Sequence, residues 1–148
     1  MFIREAMTSD VRTIAPTATI REAAEMMIDL DVGALPVAEG DRLIGMITDR
    51  DIAVRAIALG KDAKASVAET MTPEVKYCFD DDDVEDVAEN MAEIQVRRLP
   101  VVSRAKRLVG IVSLADLATK ATTADCGLAL EGIARPGGQH TQSADGLA

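Results

Sequence analysis

The feature that most constrains the fold of this chain is an internal repeat. Met7-Thr8 returns 64 positions later as Met71-Thr72, and Leu35-Pro36-Val37 returns at the same shift as Leu99-Pro100-Val101. One extra residue then enters the second copy in a polar loop, and the shift becomes 65 from that loop onward. Self-similarity at a fixed spacing is the sequence signature of a repeat architecture. We therefore predict two copies of one structural unit.

Within each copy, the hydrophobic periodicity predicts the element order β-α-β-β-α. In the first copy an extended run ends at Pro16, and Thr19 followed by Glu22 is the capping-box pattern that begins a helix. Apolar residues at positions 20, 23, 24, 27 and 28 then have the spacing of an amphipathic helix. Strands are predicted at 32–37 and 43–47, and a second helix at 50–59. The second copy repeats this order, with helices at 84–94 and 115–122.

The size of the copies determines the predicted architecture. A copy of about 50 residues is too small to bury a good hydrophobic core alone. We predict an α+β fold in which two tandem β-α-β-β-α repeats share a core in pseudo-twofold symmetry, with a ligand-accessible cleft where they meet. The predicted division is a first repeat at 7–60, a linker at 61–70, a second repeat at 71–122, and a short helix with a flexible tail at 123–148.

Both copies carry one polar pattern where the last strand ends. It reads Gly45-Met46-Ile47-Thr48-Asp49-Arg50-Asp51 in the first copy and Gly110-Ile111-Val112-Ser113-Leu114-Ala115-Asp116 in the second. The start of a helix offers unpaired N–H groups and partial positive charge to a phosphate, and a hydroxyl adds a donor. The carboxylate three residues later would repel phosphate, but it can accept hydrogen bonds from two ribose hydroxyls. The pattern therefore fits a nucleotide site in each copy.

A purely structural interpretation of the same pattern stays open. Thr48 with Asp51, and Ser113 with Asp116, also have the capping-box spacing, which needs no ligand. The two roles can coexist, because the capping side chain lies at the mouth of the same site.

The tandem Met-Thr, Leu-Pro-Val and Gly-x-x-Thr/Ser-x-x-Asp arrangement resembles a pair of cystathionine-β-synthase (CBS) domains, a Bateman module. The resemblance covers about residues 5–122 and extends to small stand-alone bacterial proteins made of two such domains. In that family the Gly-x-x-Thr/Ser-x-x-Asp element contacts adenosine nucleotides. The resemblance implies that Thr48 and Asp51 contribute to one site, and Ser113 and Asp116 to the other.

The same resemblance implies where an adenine would rest. In such modules it lies against apolar residues and backbone of the first strand and of the strand before Pro-Val. The corresponding residues are Ile14 and Ala34 in the first copy, and Cys78 and Arg98 in the second. The residues themselves also allow a simpler role for Cys78, that of a small apolar side chain on a strand.

The two copies differ in charge next to this element. Arg97-Arg98 in the second copy stands where the first has Gly33-Ala34. The resemblance implies that a basic residue two positions before the proline is directed at phosphate, for which a guanidinium offers fixed, charge-assisted donors. We therefore hypothesise asymmetric occupancy, with Arg98 serving a phosphate. An exposed strand rim is the alternative role for this arginine pair.

Composition argues against several other functions. Sixteen basic and 25 acidic side chains give a net charge of −9, and only Phe2, Tyr77 and Phe79 are aromatic, so direct nucleic-acid binding is not expected. Cys78 and Cys126 lack the spacing of a disulfide framework or a zinc site. The single histidine, His140, lies in a polar tail, which argues against Ser-His-Asp chemistry.

Two further patterns concern metals and compartment. The acidic run at 80–83 lacks the spacing of a calcium loop, and we interpret it as negative charge before a helix. No window is apolar enough to cross a bilayer, and no secretory signal opens the chain, so we expect a cytoplasmic protein that does not bind membranes. Core packing explains part of the apolar character on several sides of the methionine-rich helices, at Met26, Met27 and Met91. The same two-sided character suits a partner surface, and we therefore expect a homodimer.

The leading functional hypothesis is a non-enzymatic regulatory module that binds AMP, ADP or ATP in the cleft between the repeats. It would need no cofactor, with the nucleotide as its regulatory ligand. Because no output domain is evident in the sequence, we expect the conformational change to reach a separate protein partner. The alternative is a dimeric stress-response or interaction protein of the same fold whose ligand sites are degenerate. An enzyme is disfavoured, because no general-base histidine, metal cluster or glycine-rich phosphate loop is present.

Overall fold

The computed structural model of the chain describes residues 1–136. His140 and the tail expected to be flexible lie outside the described residues. The strands in chain order are β1 (Ala34–Glu39), β2 (Arg42–Thr48), β3 (Thr72–Pro73), β4 (Cys78–Phe79), β5 (Arg98–Val102) and β6 (Leu108–Ser113). The α-helices are α1 (Ile3–Ala6), α2 (Ile20–Leu30), α3 (Asp49–Asp51), α4 (Val67–Thr70), α5 (Val84–Ile94), α6 (Leu114–Lys120) and α7 (Thr123–Ala134).

The chain divides into two compact units that do not follow the order of the sequence. The first-repeat unit contains Val11–Lys76 with Lys106–Leu108. The second-repeat unit contains Met1–Asp10, Tyr77–Ala105 and the described residues from Val109 to Pro136. The segment that leads into the first repeat therefore packs within the second-repeat unit. The first-repeat unit holds α4 and β3, which lead into the second repeat.

The first-repeat unit is a small antiparallel sheet with helices. Its strand order is β1-β2-β3, and the hairpin between β1 and β2 pairs Ala34 with Thr48 at one end and Glu39 with Arg42 at the other. The expected strand at 11–15 is reduced to one parallel bridge between Ile14 and Val37. The mixed helix and sheet class predicted from the sequence is confirmed.

The helices of this unit begin where the sequence predicts. The Thr19 hydroxyl accepts a hydrogen bond of 3.1 Å from the Glu22 amide, and the apolar stripe of α2 is buried. The predicted helix at 50–59 is instead α3, a π-helical turn at Ile52–Ala56 and a 3-10 turn at Ile57–Leu59. It ends at Gly60, which has the left-handed backbone conformation (φ 81°) that glycine adopts without strain.

The second-repeat unit repeats this plan with its own sheet. The strand order is β4-β5-β6, and Cys78 pairs in parallel with Val101. One glycine in the last strand of each repeat, Gly45 in β2 and Gly110 in β6, leaves room for a methionine side chain to approach closely. A Cβ at Gly110 would lie 2.6 Å from the Met7 sulfur, and one at Gly45 would lie 2.7 Å from the Met71 sulfur.

The short helix predicted after the second repeat is α7, an element with no counterpart in the first-repeat unit. Thr122 caps it by accepting a hydrogen bond of 3.1 Å from the Asp125 amide. Gly132 packs against Ala92 of α5, and the Gln95 side-chain amide donates to the Gly132 carbonyl at 3.0 Å. With 12 residues, α7 is the longest helix in residues 1–136, and no helix there could span a bilayer.

The buried apolar side chains form two clusters, one in each unit. The first-repeat cluster includes Ile14, Leu35 and Ile47. The second-repeat cluster includes Met91, Leu99 and Val112. Other large apolar side chains are exposed, including Ile28, Ile57 and Leu59 of the first-repeat unit. Met27 and Met91, which the sequence marked as a partner surface, are core residues.

Candidate functional site

The first-repeat site is built where β2 runs into α3. The Thr48 hydroxyl accepts a hydrogen bond of 3.0 Å from the Asp51 amide, and the Thr48 amide donates one of 3.0 Å to Asp51 Oδ2. This reciprocal pair is the capping box predicted from the spacing. The box fixes the Asp51 carboxylate beside the strand end and leaves its second oxygen, Oδ1, for another partner.

Asp51 Oδ1 faces a cation. The Arg55 guanidinium lies 3.9 Å away, one helical turn further along the chain. The same guanidinium donates to the Met71 carbonyl at 3.2 Å and to the Thr72 hydroxyl at 3.1 Å. The Asp51 side chain is only 13% exposed. Its Oδ1 atom, which accepts no hydrogen bond within residues 1–136, therefore lies in a partly enclosed position.

The second-repeat site has the same capping box between β6 and α6. The Ser113 amide donates to Asp116 Oδ2 at 3.0 Å, and the Asp116 amide donates to the Ser113 hydroxyl oxygen at 3.2 Å. Here Oδ1 also has a hydrogen-bond donor, because the Thr8 hydroxyl reaches it at 3.1 Å. The Lys120 ammonium lies 3.5 Å from the same oxygen. With 7% exposure, Asp116 is the one charged residue of the buried class in residues 1–136.

The two sites use equivalent residues in different ways. Thr8 and Thr72 correspond in the repeat, as do Arg55 and Lys120. In the second-repeat unit the threonine touches the aspartate directly. In the first-repeat unit the longer arginine side chain contacts both the threonine and the aspartate. The second-repeat aspartate is therefore more completely satisfied within its own unit.

The structure places one of the two predicted adenine-contact residues of the first copy, Ala34, beside Thr48, whereas Ile14 lies further along β1 and bridges to Val37. Ala34 pairs with Thr48 across the hairpin. Ile14 donates through its amide to the Pro36 carbonyl at 3.0 Å and so flanks β1. Both side chains are buried, so they offer little free surface. Contact with a ring at this place would involve mainly the backbone of these segments.

Cys78 is a buried strand residue. Its thiol lies 3.8 Å from the Pro100 carbonyl. Burial, assisted by the nearby Asp82 carboxylate, raises the pKa of the Cys78 thiol to about 12. The side chain is therefore a neutral thiol at physiological pH.

Arg98 stands at the start of β5, beside the second-repeat capping box. The preceding residue, Arg97, accepts a hydrogen bond of 3.0 Å at its carbonyl from the Leu114 amide. The Arg98 side chain is exposed, and no group within residues 1–136 forms a hydrogen bond or ion pair with it. Its guanidinium keeps all its donors for solvent or a ligand.

The acidic run before α5 is satisfied by local partners. Asp83 accepts from the Glu85 amide at 2.9 Å as the helix cap, and Asp82 accepts from the Phe79 amide at 2.8 Å. Hydrogen bonding from Arg104 lowers the pKa of Asp81. Within the described part of the chain, no three His, Cys, Asp or Glu side chains are grouped to hold a metal.

Sequence reasoning missed three residues that touch the two aspartates. Arg55 and Lys120 lie four positions after Asp51 and Asp116, a spacing that brings side chains together on a helix. That spacing was a usable signal. Thr8 is 108 residues from Asp116, and only its place in the repeated Met-Thr pair could have pointed to it.

Comparison with known proteins agrees with the resemblance seen in the sequence. The family model of the CBS domain matches residues 3–57 and 66–122. The chain is 46% identical over 116 residues to the CBS domain-containing protein YhcV of Bacillus subtilis, covering 78% of this chain and 82% of that protein. It is 39% identical over 117 residues to hypoxic response protein 1 of Mycobacterium tuberculosis, covering 78% and 81%.

Solved structures give the same result. The crystal structure of Hypoxic Response Protein I with two coordinated zinc ions superposes with a TM-score of 0.73 at 38% identity, covering 80% of this chain and 97% of that one. The CBS domain pair of MJ0100, in complex with 5′-methylthioadenosine and S-adenosyl-L-methionine, gives 0.69 at 31% identity, with 80% and 93% covered. CBSX2 in complex with AMP gives 0.69 at 26% identity, with 78% and 92% covered.

Proposed function

Because the chain belongs to the CBS-domain family and carries two copies of that domain, we propose that it is a regulatory module binding an adenosine nucleotide of the AMP, ADP or ATP class. It acts without catalysis, and the nucleotide is its regulatory ligand. The observation that carries the proposal is the pair of fixed carboxylates, Asp51 and Asp116, each oriented by a capping hydroxyl at a strand end. The adenosyl ligands in the MJ0100 and CBSX2 structures support the same ligand class.

The ribose is the part of the ligand that the carboxylates would recognise. In each site Oδ2 accepts the backbone amide of the capping residue, so Oδ1 is the oxygen available to a sugar hydroxyl. A hydrogen bond to a charged group contributes about 1.5–3 kcal/mol. At Asp116 the ligand hydroxyl would take the place of Thr8, and at Asp51 it would meet an oxygen that accepts no hydrogen bond within residues 1–136.

The phosphate is assigned to the second-repeat site through Arg98. Its guanidinium is exposed and unpartnered within the described residues, and Arg98 follows Arg97, whose carbonyl accepts the amide of Leu114 at the start of α6. Arginine recognises phosphate through paired, charge-assisted hydrogen bonds. Ala34 holds the corresponding position in the first copy and provides no such donor.

The signal would arise by population shift. A ligand hydroxyl that hydrogen-bonds to Asp116 Oδ1 in place of Thr8 weakens the attachment of the segment Met1–Asp10 to the rest of the second-repeat unit. A ligand can shift a conformational equilibrium only by its differential affinity for the two states. A protein partner would then recognise the altered conformation of this segment.

Self-association is part of the proposal. Ile28 is 79% exposed, and Ile57 and Leu59 are also exposed in the same unit. Large apolar side chains left in solvent favour an interface. We propose a homodimer as the functional form.

Calorimetric titration with AMP and ATP tests the nucleotide proposal. Binding should be saturable, and Asp116→Asn should weaken it by about 10-fold to 100-fold, the equivalent of the lost charged hydrogen bond. Thr122→Ala removes a helix cap outside both sites and should leave binding unchanged, which separates a site effect from general destabilisation.

A scaffold with degenerate sites is the second candidate. It is favoured by the Asp116 carboxylate, whose two oxygens are both engaged within the chain. A ligand at one hundred times its Kd stabilises the folded state by about 2.7 kcal/mol. If melting shows no shift with millimolar AMP, ADP or ATP, the scaffold function replaces the nucleotide proposal.

A further inference from the structure

The two units place opposite charges at equivalent positions next to their capping boxes. In the first-repeat unit the Asp49 amide donates to the Gly33 carbonyl at 2.9 Å. In the second-repeat unit the Leu114 amide donates to the Arg97 carbonyl at 3.0 Å. Because these backbone hydrogen bonds match, residues related by the repeat shifts of 64 and 65 occupy corresponding places. Gly33 therefore corresponds to Arg97, and Asp49 corresponds to Leu114.

The first-repeat unit fills this place with a carboxylate. A Cβ at Gly33 would lie 2.9 Å from Asp49 Oδ2, so the carboxylate lies directly over the glycine. Asp49 Oδ1 accepts a hydrogen bond of 2.8 Å from the Arg50 amide, which holds the carboxylate in that position. The absence of a side chain at residue 33 is what makes room for it.

The second-repeat unit has the opposite character. The residue matching Asp49 is the uncharged Leu114, and Arg97 and Arg98 stand where the first repeat has Gly33 and Ala34. Both arginines are exposed, and neither guanidinium forms an ion pair within residues 1–136. A phosphate approaching this place meets two cations and no carboxylate from these positions.

The difference remains when the charged residues at and next to these positions are counted. In the first-repeat unit Asp49 and Arg50 sum to zero, whereas in the second-repeat unit Arg97 and Arg98 sum to +2. The pairs Asp51–Arg55 and Asp116–Lys120 cancel in both units. A phosphate monoester carries about −1.5 to −2 charges at neutral pH, so the imbalance favours it at one site only.

We propose that the two sites take different classes of adenosyl ligand. The second-repeat site binds a nucleoside that carries a 5′-phosphate. The first-repeat site binds a nucleoside whose 5′-substituent is uncharged or cationic, with Asp49 excluding phosphate and acting as the counter-ion. This inference rests on the proposed function, since it assumes that Asp51 and Asp116 hold a ribose.

Titration with adenosine and AMP, which differ only in the phosphate, tests it. The Asp116→Ala chain, with only the first-repeat site intact, should bind adenosine at least 10-fold more tightly than AMP. The Asp51→Ala chain should show the reverse preference. In the Asp116→Ala background, Asp49→Asn should raise AMP affinity several-fold, and adding Ala34→Arg should make AMP the preferred ligand.

The matched control is Glu39→Gln, which removes one negative charge from the same unit at the other end of β1. It should leave the AMP-to-adenosine ratio unchanged. Because Asp116 is buried and its loss can impair folding, amide resonances of Gly33 and Gly110 in the wild-type chain give a second measurement. Adenosine should shift Gly33, and AMP should shift Gly110.

The outcomes separate the two proposals. If the first-repeat site binds AMP as tightly as adenosine, and Asp49→Asn acts like Glu39→Gln, the ligand-class inference is wrong while nucleotide binding stands. If neither compound binds any variant or shifts either glycine, the proposed function itself fails.

Discussion

Thr8 and Asp116 are joined by a hydrogen bond of 3.1 Å between residues that lie 108 positions apart in the chain. The bond attaches the N-terminal segment to the oxygen that would otherwise be open to a ribose hydroxyl. In the proposed function, ligand binding and attachment of this segment would therefore compete for one acceptor. Arg55 prevents the same direct contact between Thr72 and Asp51 by occupying the space between them.

Thr8→Val should raise nucleotide affinity at the second-repeat site while lowering stability. Removing the hydroxyl frees Asp116 Oδ1 of one hydrogen bond, and a hydrogen bond to a charged group contributes about 1.5–3 kcal/mol. We expect up to about 10-fold tighter binding by calorimetry and a comparable loss of unfolding free energy in urea. Thr72→Val is the matched control, because that hydroxyl bonds Arg55 instead of an aspartate. Unchanged affinity in Thr8→Val would show that Thr8 does not compete with the ligand.

Arg98→Ala should weaken AMP binding by about 10-fold and leave adenosine binding unchanged. In the proposed site the guanidinium would contact the phosphate and no other part of the ligand, and a charge-assisted hydrogen bond contributes about 1.5 kcal/mol. Its effect should shrink at high salt, because exposed charges are screened. Lys106→Ala, which removes one cation from the loop between β5 and β6, is the charge control. Equal loss of AMP and adenosine affinity would assign Arg98 a structural role.

Gly110→Ala should destabilise the chain by about 1–3 kcal/mol. The new methyl group would lie 2.6 Å from the Met7 sulfur and 2.8 Å from the Thr8 carbonyl oxygen. The sulfur belongs to a flexible side chain, but the carbonyl can yield only if the backbone shifts. Denaturant unfolding measures the change.

Gly127→Ala is the control, because a Cβ at this position meets nothing within 4 Å. It lies inside α7, where alanine is favoured over glycine by about 1 kcal/mol. We therefore expect this variant to gain stability. A loss as large as that of Gly110→Ala would mean that the close contact at Gly110 is not the cause.

The Cys78 thiol should react only when the second-repeat unit opens. Its folded-state pKa of about 12 lies above the ordinary value of 9.0. A raised pKa in an acid favours the neutral form, so this contribution to stability is complete below about pH 9 and is lost as pH rises toward 12. In a Cys126→Ser chain, thiol modification at pH 8 should follow the rate of opening, and stability should decline between pH 9 and 12.

The control for this prediction is Cys78→Ser in a chain that keeps Cys126, a partly buried thiol. It should lack the decline in stability that depends on Cys78. Rapid modification of native Cys78 at pH 8 would contradict the burial.

The local elements were predictable because their signals are local. Thr19 and Glu22 marked the start of α2, Gly60 marked the end of a helix, and the Thr/Ser-x-x-Asp spacing marked both capping boxes. Each depends on residues within about one helical turn, which the sequence shows directly.

Other features depend on contacts that spacing does not reveal. The π-helical and 3-10 turns replaced a regular helix in a region where Arg55 reaches Met71 and Thr72. The charge difference at Asp49 was visible in the sequence. Its position over Gly33 became apparent only once the backbone bond between these residues was known.

The segment that leads into each repeat belongs to the compact unit of the other repeat, so a cut between the repeats does not separate the two units. A cut at Gly60 would give two fragments, each carrying a stretch that belongs to the compact unit of the other. Neither fragment would be self-sufficient, yet mixing them should restore a native-like product by complementation. Losing either half of the chain would therefore remove a piece of the compact unit that the other half forms.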